Sequence, residues 1–266
     1  MSNDSVLLDL DGAVATLTLN RPQALNALDL AMTDALRATT ERVEGDPAIR
    51  AVVLRGAGNH FMAGGDIKWF NTMLDIPAGE RRARFERLIS DVHGSILRLR
   101  RMGKPVIASV HGAVAGFGLS LMNACDLAIA ADDAYFTLAY CHIATSPDGG
   151  ATYALPRLVG LKQAMEIALL GDRFDARRAL ELGLVNRVVP APELVVETRA
   201  LAERLAAGPT AAYAKTKQLI NESLNRTLPE QLLAEQDNFA ASALTADFAE
   251  GVRAFVGKRK PRFTGN

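Results

Sequence analysis

The stretch 145–160, TSPDGGATYALPRLVG, sets one carboxylate, Asp148, between a proline and two glycines. A carboxylate in that setting can do either of two things. It can accept backbone N–H bonds and cap the helix that follows, a common use of Asp before a helical run. It can also move protons as a general acid and base. The local residues leave both readings open. Two glycine-bearing stretches carry a complementary chemistry. RGAGNHFMAGGDIK (55–68) and HGAVAGFGLSLMNACD (111–126) each follow an apolar run and lead toward a helix. Backbone N–H groups at such junctions lack intrahelical partners and can hold a negative oxygen. Glycine lets a ligand approach the backbone without interference from a Cβ. Such loops also serve simply as strand-to-helix turns. Brought to one point, the two would form an oxyanion hole for a carbonyl oxygen that gains charge.

The elements that must carry these loops follow from pattern. SVLLDLDGAVATLTLN alternates and reads as two strands hinged at the turn dipeptide Asp11-Gly12. LDLAMTDALRATTERVEGD has helical spacing at Leu28, Met32, Ala35 and Leu36, with Gly45 placed to end it. IRAVVLRGAG and KPVIASVHG are buried-type strands, with an Arg-rich helix from about Ala78 to Arg101 between them. CDLAIAADDAYFTL predicts two more strands around Ala131-Asp132-Asp133. ATYALPRLVG, LKQAMEIALLG and DARRALELGLV are short helices, and NRVVP is a strand. Strands alternating with helices place the chain in the α/β class, with a core over residues 1–190. Residues 191–256 are almost entirely helix formers, broken at Gly208-Pro209 and Leu228-Pro229, so 191–266 reads as a helical C-terminal region with the basic tail GKRKPRFTGN.

Composition narrows the function. The chain has 266 residues, 49% of them apolar, enough for a large core. Thirty Lys and Arg balance thirty Asp and Glu, so no basic surplus points to nucleic acid. The two cysteines, Cys125 and Cys141, form no CxxC pair and fit unpaired thiols in a reducing cytoplasm. MSNDSVLLDLDG lacks the basic start of a signal peptide. PVIASVHGAVAGFGLSLMNAC (105–125) is uncharged and long enough to cross a bilayer, but Pro105, His111, Asn123 and its glycines favour a soluble strand–turn–helix. No GxGxxG, GxxxxGK[ST] or HExxH occurs, so dinucleotide, P-loop and zincin chemistry have no support, and no metal site is expected.

LNRPQALNAL, FMAGGDIK, KPVIASVHGAVAGFGLSLMNACDLAIA, SPDGGATYALPRLVG and ALELGLVNRVVP together resemble the crotonase (enoyl-CoA hydratase/isomerase) superfamily. The likeness runs from about Val6 to Pro190 and extends through FVGKRKPRF. It implies a spiral of ββα units with a C-terminal helical trimerisation region, as trimers or dimers of trimers. It also implies an acyl-CoA thioester substrate, with no cofactor beyond the coenzyme A that the substrate carries. By position, the carbonyl donors are the amides of Gly65 and Phe117, the latter standing where the family usually has glycine. The implied CoA contacts are Ala24, Leu25, Ala63, Asp66, Ile67 and Lys68, with Phe255 and Lys258 reaching a neighbouring subunit's CoA.

Hydratases of the superfamily carry two glutamates, at positions matching Ser120 and Tyr140 here, and glycine at the position of Asp148. A hydroxyl and a phenol orient groups but are poor bases near neutral pH. The resemblance therefore leans to the isomerase branch: Asp148 shifts a double bond through a thioester enolate, with Ser120 and Tyr140 as substrate contacts. Hydration is the alternative. An aspartate-nucleophile dehalogenase or hydrolase is a third reading, disfavoured because the only tryptophan, Trp69, lies in another segment. A non-catalytic acyl-CoA scaffold is a fourth. His142 reads as a packed or hydrogen-bonded core histidine, His111 as a backbone partner, Cys141 as no nucleophile, and Arg81, Arg82, Arg84 and Arg87 as a solvated face.

Overall fold

The computed structural model describes residues 4–266, so the first three residues of the N-terminal stretch lie outside the described residues. Strands β1 (Val6–Asp11) and β2 (Val14–Leu19) form the expected antiparallel hairpin, with Gly12 at φ 58°. Helix α1 (Leu30–Gly45) begins at Asp29, whose side chain accepts the Met32 N–H at 2.8 Å. Its far end is closed by Lys104, a buried ammonium that donates to the carbonyls of Val43, Glu44 and Asp46. These are carbonyls that a helix end otherwise leaves without partners.

Strands β3 (Ala51–Gly56), β4 (Val106–Val110), β6 (Leu127–Ala131) and β9 (Arg187–Val189) extend the hairpin in parallel. They complete a six-stranded sheet in the order β1-β2-β3-β4-β6-β9. Every residue of β4 is buried, as expected for a parallel strand covered on both faces. A smaller sheet joins β5 (Ala113–Ala115), β7 (Tyr135–Thr137) and β8 (Phe174–Asp175), with β7 in the middle. The strands around Ala131-Asp132-Asp133 are β6 and β7, as the alternation predicts.

Between strands run α2 (Ile67–Thr72), the long α3 (Ala78–Arg101) and α4 (Phe117–Asn123). In α3 the buried residues Leu88, Val92, Ser95, Ile96 and Leu99 recur at helical spacing and face the core. Its Arg82, Arg84 and Arg87 stay exposed and pair with Glu86, Glu80 and Asp91 one turn away. Helix α4 is buried at every position. The helices α5 (Ala151–Leu158), α6 (Leu161–Leu170) and α7 (Ala176–Glu181) follow as expected. The C-terminal region is α8 (Leu194–Ala206), α9 (Thr210–Ser223), α10 (Leu228–Ser242) and α11 (Ala246–Val256).

Of these, α8 lies on the large sheet: Ala202 packs on Val53 and Ile107, and Leu194 on Ile129 and Ala131. The Ser109 and Thr198 hydroxyls share a buried hydrogen bond of 2.9 Å across that contact. No residue of α10 is buried, and its Leu232, Leu233 and Phe239 are exposed. Among the described residues no helix is long and apolar enough to cross a membrane, and residues 105–125 form β4, β5 and α4.

Candidate active site

The first glycine loop is shaped by Asn26, which is fully buried. Its amide donates to the carbonyls of Ala57, His60 and Phe61, while its Oδ1 accepts the Arg21 N–H. This grip holds Leu25 and Asn26 in the left-handed region, at φ 53° and 55°. Such a conformation costs a side-chain-bearing residue energy and persists only where its surroundings over-determine it. Leu25 is left exposed, and its carbonyl accepts the Ala63 N–H at 3.0 Å. Leu28 then bridges to the loop, donating to Gly64 O and accepting from Asp66 N. That pairing turns the Gly65 N–H away from Leu28. Among the described residues it donates to no protein acceptor.

The second loop meets the first edge to edge. Met62 donates to Ala113 O at 3.0 Å and accepts from Ala115 N at 2.9 Å. Gly118 is needed for this approach, and Gly116 for the turn into the next helix. A Cβ on Gly116 would stand 3.4 Å from Gly64 Cα, and one on Gly118 would come within 2.5 Å of Met62 O. Gly116, at φ 53°, also turns the chain into α4, whose first residue is Phe117. Like that of Gly65, the Phe117 amide has no protein acceptor among the described residues. A Cβ on Gly64 would lie only 3.6 Å from the Phe117 nitrogen, so the two loops bring their free donors into one neighbourhood. Phe117 keeps its amide available while its ring is buried against Gly149.

Gly149 ties this pair to Asp148. A Cβ on it would come within 2.8 Å of both the Phe117 ring and Ser120 Cβ. Ser120 Oγ donates to the Asp148 carbonyl at 2.9 Å, and the Gly149 N–H donates to His93 Nε2 at 3.1 Å. The Tyr140 hydroxyl donates to Asp148 Oδ1. The capping reading fails on geometry: α5 has Gly150 as its N-cap with no side-chain hydrogen bond, and only the backbone carbonyl of Asp148 accepts the Ala151 N–H. Burial pushes the Asp148 carboxyl above its usual range, and Tyr140 and His93 offset that only in part. A cavity of about 530 Å³ lies beside it, lined by His93, Ile96, Ser120, Asn123, Gly149 and Tyr153.

A half-buried acid with a raised pKa, beside two loops with unpaired amides, suits proton transfer next to a stabilised carbonyl oxygen. The description "Enoyl-CoA hydratase/isomerase" fits a family model that matches residues 9–266. The chain belongs to the enoyl-CoA hydratase/isomerase family. Among this family's members, the 1,2-epoxyphenylacetyl-CoA isomerase of Escherichia coli is 38% identical, over 98% of each chain. The trans-2-decenoyl-[acyl-carrier-protein] isomerase of Streptococcus mutans is 31% identical across both full lengths. The crystal structure of an enoyl-CoA hydratase from a Polaromonas species superposes with a TM-score of 0.91 at 37% identity, covering 97% of this chain and 99% of that one. The chain is thus an enzyme of the crotonase fold.

Asp66, one of the family positions matched in the sequence, has protein partners of its own. Asp66 accepts the amides of Lys68 and Trp69 as the N-cap of α2, and Arg21 at 2.9 Å. Burial alone would raise its pKa, but Arg21 and those amides outweigh it and hold the carboxyl below the usual range. Ile67 and Lys68 are exposed on that helix, next to the half-buried Ala63, and Ala24 ends the turn that leads to Leu25. Phe255, 86% exposed, lines a C-terminal groove with Pro209, Phe248 and Phe263, and Lys258 follows it at φ 48°.

His93 escaped the sequence reading: it lies 55 positions before Asp148 in an arginine-rich helix, with no local signal. His60, likewise missed, accepts the Ala113 N–H at Nδ1 and so braces the second loop. His111 binds Gly58 O at 2.9 Å, as read. His142 binds Gly171 O at 3.1 Å but is exposed rather than in the core, because its helical turn lies at the surface. Cys141 is half-buried, with its Sγ 3.9 Å from His142 Nδ1. Among the described residues no three His, Cys, Asp or Glu side chains gather as a metal would require.

Proposed function

We propose that the protein is an enoyl-CoA isomerase that moves a double bond between the 3,4 and 2,3 positions of an acyl-CoA, with Asp148 as its acid and base. The observation that carries this reading is the setting of the Asp148 carboxylate. It caps no helix, its pKa is raised, and it is the carboxylate at a site where the two hydratase glutamates are replaced by Ser120 and Tyr140. The thioester carbonyl accepts hydrogen bonds from the Gly65 and Phe117 amides. Asp148 removes a proton from C2, the electron pair passes into the dienolate held by those amides, and the same carboxyl returns the proton at C4. Microscopic reversibility permits one group both roles. Two relatives named as isomerases support this direction.

The enzyme is tested by incubating it with 3-hexenoyl-CoA in D2O and following 2-enoyl-CoA formation and deuterium uptake. Wild type converts the substrate, and Asp148→Asn does not; equal turnover by both overturns the assignment. Hydration is the second reading, favoured by the name of the Polaromonas structure. Loss of conjugated absorbance from crotonyl-CoA would establish it. Assembly into trimers or pairs of trimers belongs to this proposal, supported by the exposed Leu232, Leu233, Phe239, Phe255 and Val256.

A further inference from the structure

Asp148 is held more tightly than a base needs to be. Its backbone is fixed from two sides, by Ser120 of α4 on its carbonyl and by His93 of α3 on the next amide. A third element reaches the carboxylate itself. Tyr140 opens the helical turn Tyr140–Ile143 after β7, bounded by Ala139 and Ala144 at φ 53° and 54°. Its backbone is tied at both ends, donating to Leu138 O at 2.7 Å and accepting from Thr145 N at 3.2 Å. From this braced position its hydroxyl donates to Oδ1. Oδ2 takes no hydrogen bond from another described residue. The two oxygens of one carboxylate are therefore chemically different.

A carboxyl group changes its hydrogen-bonding character when it gains a proton. Ionised, both oxygens accept; protonated, one becomes a donor and the other remains an acceptor. Burial and the Asp148 charge keep the Tyr140 phenol protonated, so it can donate throughout the cycle. After protonation of Asp148 that donation keeps its strength when the new proton sits on the other oxygen, because a carboxylic hydroxyl oxygen is the weaker acceptor. We propose that Tyr140 is a positioning residue that confines the travelling proton to Asp148 Oδ2, so that the double-bond shift is a transfer across one face of the acyl group. The inference rests on the isomerase reading of Asp148. The C2–H bond breaks as Oδ2–H forms, and its electron pair enters the dienolate. Oδ2–H then breaks as C4–H forms and C2=C3 closes, with no oxidant or co-reactant.

Two measurements test it. Infrared difference spectra, wild type minus Asp148→Asn, read the ionisation of Asp148 across pH without turnover. His93 of α3 is the other titratable group beside it and is present in every sample. Tyr140→Phe moves the Asp148 midpoint up by about one unit. Fluorinating the Tyr140 ring strengthens the donor and moves the midpoint down. The second probe is 3-hexenoyl-CoA deuterated on one face of C2. Wild type carries retained label to the same face of C4, and in Tyr140→Phe that retained fraction falls about threefold or more. Label on the opposite face in wild type, or an unchanged midpoint in Tyr140→Phe, overturns the proposal. Wild type that leaves 3-hexenoyl-CoA unchanged overturns the isomerase reading and the facial transfer together, while the midpoints still decide whether Tyr140 orders the carboxyl.

Discussion

Gly64 and Gly116 meet backbone to backbone where the two loops touch. A side chain on Gly64 would stand 3.3 Å from Ala115 O, and one on Gly116 3.4 Å from Gly64 Cα. The free amides of Gly65 and Phe117 are the next residues along each loop, so their spacing depends on this contact.

Gly116→Ala should strain a residue at φ 53° and so shift the Phe117 amide that follows it. The expected result is a fall in kcat/KM of about 10²-fold, the scale of losing one oxyanion donor. Calorimetry with free coenzyme A, which has no thioester carbonyl, should show an unchanged Kd. Full activity in this variant would remove the loops from the mechanism.

Asp148→Asn should keep the fold and lower isomerisation about 10³-fold, within the range for losing a general base. In wild type the rate should rise with pH along an acid limb set above the ordinary carboxylate range, because burial raises the Asp148 pKa. A limb at or below that range would contradict the buried-base assignment.

The same shift has a stability consequence. The folded state holds the Asp148 proton more tightly than the unfolded chain, so the contribution is present in acid and is lost as pH rises through the raised pKa. Asp148→Asn escapes that loss. Its Tm advantage over wild type should widen with rising pH and close in acid, as read by thermal denaturation at several pH values. A gap that does not vary with pH is the contrary result.

Asn123 ends α4 at 6% exposure, and among the described residues neither its Nδ2 nor its Oδ1 has a hydrogen-bond partner. Unpaired buried polar atoms cost about 1–3 kcal/mol each, so Asn123→Leu should raise stability by about that much. Denaturant titration would show a higher midpoint at an unchanged slope. A lower midpoint would mean that the amide is satisfied or that leucine overpacks the site.

The scaffold was readable wherever its cause is local. Asp11-Gly12 makes a hairpin, Gly45 ends α1, and the Ala78–Arg101 helix forms at the expected span, because turn chemistry and periodicity act over a few residues. Asp148 shows the limit. Its sequence neighbourhood suits a cap, and only the three-dimensional course of Gly149-Gly150 shows that the carboxylate turns elsewhere. The pairing of Asp66 with Arg21, 45 positions away, and the hold of His93 on Gly149 arise from tertiary contact alone. No spacing rule reaches across such distances, whereas the AGGD and AGFG loops announce themselves because close backbone approach excludes most other residues.

The packing of Gly149 on Ser120 also bears on how reactions can be exchanged within this scaffold. Ser120 Cβ lies against Gly149, and its hydroxyl is spent on the Asp148 carbonyl. A glutamate at position 120 would bring a second carboxylate close to Asp148, and two like charges there disfavour ionising both. The site offers one seat for a carboxylate. Positions 120 and 148 are therefore coupled through charge: a carboxylate added at one changes the proton affinity of the other.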